Sequence, residues 1–166
     1  MEKHLMDAMD NYPYNLADAV ESLHYALSVN PASPEALVLK GKIYAEQMYR
    51  YDQALECYEE ALCEDVCYAV VYPHYIYALL SLGKHKRAEA AIDYALTLAG
   101  SNKTLLMSYK VMSYEMTGRL KKAAKHCDKA IAVCLEDSCI ERLKETKARI
   151  KGKMKKKAVK GKSKKK

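Results

Sequence analysis

Three groups of side chains in this 166-residue chain are of types that could do chemistry. His126 stands beside Cys127, a base next to a thiol. Nucleophilic catalysis needs the imidazole within hydrogen-bond reach of the sulfur, and neighbouring residues on a helix point about 100° apart, so this pair makes no site by itself. Cys63 and Cys67 are four residues apart, a spacing that sets two thiols on one helical face. No histidine lies near them in sequence, and a free cysteine behaves as a small hydrophobe, so packing rather than metal binding is the expected role of both. The third group is KGKMKKKAVKGKSKKK, residues 151–166, which holds ten lysines and no acidic residue. Its functional reading is electrostatic attachment to nucleic acid, a ribosome or an acidic partner through Lys153, Lys155, Lys156, Lys157 and Lys160; its plainer reading is a solubilising terminus. No aromatic residue is interleaved with the lysines, so base stacking is absent and binding would not read sequence.

Elsewhere the chain lacks GxSxG, HExxH and a phosphate-binding glycine loop, so it is expected not to be an enzyme and no cofactor or metal is implied. The net charge of +7 hides a division. With the ten tail lysines removed, 18 basic residues face 21 acidic ones in residues 1–150, a balance of −3. The N-terminal MEKHLMDAMDNYPYN interrupts any secretory apolar run with acidic residues, and no segment approaches a membrane span, so a soluble, cytoplasmic protein is expected. Six cysteines without a CxxC pair suit a reducing compartment.

The elements that must position these groups come from a repeat. A small, large, small triplet recurs at a shift of 34 to 35 residues: Ala19, Leu23, Ala26; Ala54, Tyr58, Ala61; Ala88, Ile92, Ala95; Ala123, Cys127, Ala130. Upstream of the last three lie i, i+4, i+7 stripes: Leu37, Gly41, Tyr44; Tyr72, Ile76, Leu79; Met107, Val111, Tyr114. These spacings are helical. Gly83 and Gly118, each five residues before an alanine, end one helix and open the turn to the next. Pro34 suits a helix first turn. Residues 2–10 form a short first helix through Leu5, Met6 and Met9, which makes the first repeat degenerate. Asp137 or Ser138 caps a last helix whose apolar stripe is Ile140, Leu143 and Ile150. VCYAVVYP, residues 66–73, has strand propensity, but the repeat register overrides it and Pro73 delays or kinks the helix. One extra residue lies before Ala54, outside the otherwise even register.

On these residues the chain resembles the tetratricopeptide repeat family over roughly residues 14–134. The resemblance implies an all-α fold: a right-handed α-solenoid of about four helical hairpins plus a capping helix near 137–150, followed by a lysine-rich tail, disordered or a frayed helical extension, over 151–166. It also implies a protein-interaction scaffold whose inner groove receives a peptide or helix. The matching positions here are Val38, Lys42, His74, Tyr77, Leu80, Tyr109 and Met112, with Leu80 and Met112 equally able to finish the core. Family members that clamp a chaperone's C-terminal carboxylate use paired Asn and basic residues on this face. Here Asn11, Asn15, Asn30 and Asn102 fall in expected loops, so that clamp is not expected.

Overall fold

All four small, large, small triplets are buried, from Ala19, Leu23 and Ala26 through Ala123, Cys127 and Ala130. Alanine's methyl lets a neighbouring helix come close, and the large central residue fills the space between. A computed structural model describes residues 2–163, with the side chains of residues 2–157. Among the described residues the chain is nine α-helices: α1 Lys3–Asn11, α2 Leu16–Val29, α3 Pro34–Lys42, α4 Tyr51–Glu64, α5 Val71–Ser81, α6 His85–Ala95, α7 Lys103–Met116, α8 Leu120–Val133 and α9 Asp137–Ser163. They fall into two compact units, Met1–Gly83 and Lys84–Lys166, where composition alone gives one folding unit as the default.

In unit 1, Leu5, Ala8, Leu23, Ala26, Ala36, Leu39 and Ile43 form one core across α1, α2 and α3. Met6, expected on the inner stripe of α1, is exposed; Ala8 takes that place, because Leu5 and Ala8 share a face one turn apart and Met6 points about 100° away. Ser33 caps α3 by accepting from Ala36 N at 3.3 Å, and Pro34 takes the first helical position. The residue before Ala54 that breaks the register is absorbed after α3, where Ile43–Gln47 wind as a π-helical turn. A π-turn inserts one residue without ending the helix. The chain then reverses at Tyr49, with φ 55°, into α4. Residues 66–70 form no strand; α5 starts at Val71, which leaves Pro73 in a first turn where its missing N–H costs nothing.

In unit 2, Gly118 (φ 71°) closes α7. Its N–H bonds Glu115 O at 3.0 Å and the Arg119 N–H bonds Tyr114 O at 2.8 Å. This pair of bonds satisfies the last carbonyls of the helix and needs a left-handed residue, which glycine supplies without strain. Val111, Tyr114, Ala123, Cys127 and Ile150 form one core; Ala130, Cys134, Cys139 and Leu143 form a second.

Helix α9 does not stop at residue 150 but runs to Ser163. Met154 packs on the first core of unit 2, and Lys153 Nζ donates to Glu115 Oε1 at 2.7 Å. Burial of one methionine and a salt bridge to a nearly buried carboxylate carry the helix past the expected boundary. The side chain of Lys160 and residues 164–166 lie outside the described residues.

Candidate protein-binding site

Unit 1 places its share of the expected groove on α3 and α5. Val38 and Leu80 are buried and belong to the core, so they line no groove. Lys42 and His74 are half-buried and Tyr77 is 41% exposed, its ring edge-on to Tyr51 with centroids 6.1 Å apart. Around Lys42 and His74 the fold assembles a polar cluster that sequence reading missed. The Tyr12 hydroxyl donates to Glu46, Lys42 Nζ lies 4.9 Å over the Tyr12 ring, and His74 Nδ1 is 3.9 Å from Glu46 Oε1. Burial, then the neighbouring Glu46 carboxylate, pushes the Tyr12 phenol up to about 12. Burial, with Lys42 adding to it against Glu46, holds His74 below its ordinary value. A neutral imidazole and a neutral phenol beside one carboxylate make hydrogen-bonding groups, not a poised acid–base pair. Glu46 lies in the π-turn, and the added residue that turn accommodates was its only sequence signal.

Unit 2 places Tyr109 and Met112 on α7, both half-buried. Met112, Ser108 and Glu115 form one wall of a cleft of about 220 Å³, and Arg142, Thr146 and Arg149 of α9 form the other. Ser108 and Arg142 also line a second cleft of about 650 Å³, which runs toward Asn102, Leu105 and Leu135. The α7 side of this trench follows the expected stripe; the α9 side was missed. Arg142 and Arg149 are legible only as the charged residues opposite the Ile140, Leu143, Ile150 stripe. Arg149 donates to Glu115 Oε1 at 2.7 Å, sharing that acceptor with Lys153.

Burial, outweighing the nearby Lys40, pushes the Cys57 thiol up to about 11, and burial likewise raises Cys127. A buried thiol is a poor nucleophile. His126 Nδ1 lies 3.0 Å from Lys122 O, and its ring meets Tyr114 edge-on at 4.9 Å. Cys63 and Cys67, expected to pack, are exposed instead: Cys63 sits in the last turn of α4 and Cys67 in the turn beyond it. Among the described residues no group of three His, Cys, Asp or Glu side chains is placed to hold a metal ion. Asn15 and Asn102 occupy helix starts, and Asn11 ends α1. Among the described residues no helix is long and apolar enough to cross a membrane.

Residues 15–65 match the Tetratricopeptide repeat family model. No curated protein matches the sequence. Among solved structures the chain is similar to PilF of Pseudomonas aeruginosa, at TM-score 0.77 and 16% identity, over 92% of this chain and 68% of that one. It is also similar to a thermophilic TPR protein of Thermus thermophilus, at TM-score 0.70 and 19% identity over 86% and 79% of the two chains. A third is PilW, a type IV pilus biogenesis factor, at TM-score 0.70 and 18% identity over 91% and 74%. At these identities the likeness is one of fold. Residues 15–65 are thus a tetratricopeptide segment by sequence, and the chain resembles the tetratricopeptide repeat family, whose all-α helical-repeat fold it has.

Proposed function

We propose that this chain is a non-enzymatic scaffold that binds amphipathic helices or extended segments of other proteins, with one candidate surface on α3 and α5 of unit 1 and a separate one on α7 of unit 2. Its fold is that of protein-interaction scaffolds, and tetratricopeptide proteins generally bind proteins rather than catalyse. The observation that carries the reading is the open trench beside Met112, where an apolar floor is flanked by cationic and hydroxyl groups on α9. Tyr77, exposed and braced against Tyr51, offers unit 1 a rigid aromatic anchor of the kind interfaces favour. The compartment we propose is the cytoplasm, on the strength of four core cysteines kept as free thiols.

The test is site-specific photocrosslinking in cells from position 77 or 112, with exposed Lys86 on α6 as control. A protein partner captured from position 77 or 112, and not from 86, is the expected result. A Tyr77→Ala, Met112→Ala double variant that retains every partner of the parent at unchanged affinity would overturn the reading.

A further inference from the structure

The lysine-rich end of the chain begins inside the fold. Ile150 is fully buried with Val111, Tyr114 and Cys127, Met154 packs on the same cluster, and Lys147 of α9 pairs with Asp128 of α8. Helix α9 therefore continues from a fixed base. From residue 146 to the C-terminus the sequence carries twelve Lys or Arg and no acidic residue. Lys151, Lys155, Lys156 and Lys157 are exposed, and among the described residues none of them has a carboxylate partner. Five further lysines follow residue 157. Lysines four apart on a helix, as at Lys151 and Lys155 or Lys153 and Lys157, repel one another, so this helix carries an electrostatic load that a polyanion relieves.

We propose that this basic extension of α9 binds the phosphate backbone of nucleic acid without reading its sequence. Three features choose that partner. Every cation from residue 151 onward is lysine and none is arginine; lysine meets phosphate as a point charge, without the planar two-point recognition of phosphate or carboxylate that arginine adds, which fits binding to the density of backbone charge. An acidic protein surface would call for aromatic or large apolar anchors, and Met154, the one large candidate before residue 158, is turned into the fold. Insertion into a membrane surface needs an apolar helix face, and beyond Met154 the sequence offers only Ala158 and Val159. A helix displays its lysines around its whole circumference, so a duplex meets about half of nine: the exposed Lys151, Lys155, Lys156 and Lys157 and the five lysines that follow them in the sequence. The slope of log affinity against log salt is then about −4, whereas an unwound segment using all of them would give about −8.

The experiment measures binding of the full chain to a fluorescent DNA duplex, an RNA duplex and a single strand across a salt series. A slope of about −4 on all three, or one slightly shallower on the single strand, is expected. Lys155→Gln, Lys156→Gln, Lys157→Gln together lower affinity by at least about tenfold near 0.1 M salt and flatten the slope by about 1, with an unchanged melting curve. Truncation after residue 157 serves as the second variant and flattens the slope in the same way. The proposal is overturned if both variants bind like the parent. It is equally overturned if poly-glutamate or phosphatidylserine vesicles compete as well as duplex does, which would assign the lysines to an acidic protein or a membrane. The substituted lysines are different residues from Tyr77 and Met112, so each binding activity is tested by its own variants.

Discussion

Unit 1 and unit 2 each contain a two-helix repeat, α3 with α4 and α7 with α8, and the two hairpins fill the same crossing with opposite residues. In unit 1 the first helix gives way: a Cβ on Gly41 would overlap Cε1 of Tyr58, so the tyrosine ring lies directly on the helix backbone. In unit 2 the equivalent positions are Val111 and Cys127, a bulky residue on the first helix and a small one on the second, both buried in one cluster. The repeat holds the combined size of the pair, not the identity of either member. The turns diverge in parallel. An arginine N–H closes on a tyrosine carbonyl in both, Arg50 on Tyr44 at 2.9 Å and Arg119 on Tyr114 at 2.8 Å, but unit 1 spans one residue more. The residue before the arginine is left-handed in each, Tyr49 in one and Gly118 in the other. Unit 2 uses its arginine side chain more widely: Arg50 donates to Gln53 at 3.1 Å, whereas Arg119 stacks on Tyr114 at 4.5 Å and pairs with Glu89, to which the fully buried Ser113 donates at 3.0 Å.

The largest expected effect tests the exchange of sizes. Tyr58→Cys alone leaves a void over Gly41 and costs about 3–5 kcal/mol, and Gly41→Val alone drives a side chain into the ring at about 3 kcal/mol. Together they copy the unit 2 pair and recover about 2 kcal/mol relative to the sum, as read from urea unfolding. Strict additivity would break the comparison.

Next comes the arginine. Burial alone would raise Glu89, but hydrogen bonds from Arg119 and Ser113 outweigh it and hold the carboxyl below its usual range. A depressed folded value means that this stability is complete above about pH 5 and is lost as pH falls through the folded value. Glu89→Gln therefore costs about 1–2 kcal/mol near neutrality and much less near pH 3, whereas Arg50→Ala, whose side chain reaches only Gln53, costs about 0.5 kcal/mol. Unfolding at the two pH values measures both.

Truncation ranks third. Ending the chain after Ile150 removes Met154 and Lys153 and destabilises unit 2 by about 1–2 kcal/mol, while ending it after residue 157 changes stability by less than about 0.5 kcal/mol. Equal losses in thermal unfolding would contradict a docked start to the extension. The smallest effect is at the turns: Tyr49→Gly relieves a left-handed tyrosine and stabilises by about 0.5 kcal/mol, and Gly118→Ala does the reverse by about 1 kcal/mol, both as melting shifts.

The helical-repeat fold was legible because its signal is local and repeated. Ala54, Tyr58 and Ala61 share a face wherever the chain is helical, and the same spacing four times over leaves little room for another architecture. The candidate site was legible in part. Tyr77 is exposed and Met112 lines a cleft with Ser108 and Glu115, but Val38 and Leu80, expected on the same face, are buried. Cys63 and Cys67 failed in the other direction, exposed because one helix ends between them.

By itself the amino-acid order determined where helices run, where Gly83 and Gly118 break them, and that ten lysines end the chain. Tertiary structure alone decided which face each helix leaves to solvent, that Glu46 gathers Tyr12 and His74, that Glu115 draws Arg149 and Lys153, and that α9 continues past residue 150. Periodicity acts between residues three or four apart, whereas burial is set by side chains thirty or more positions away that no local spacing encodes.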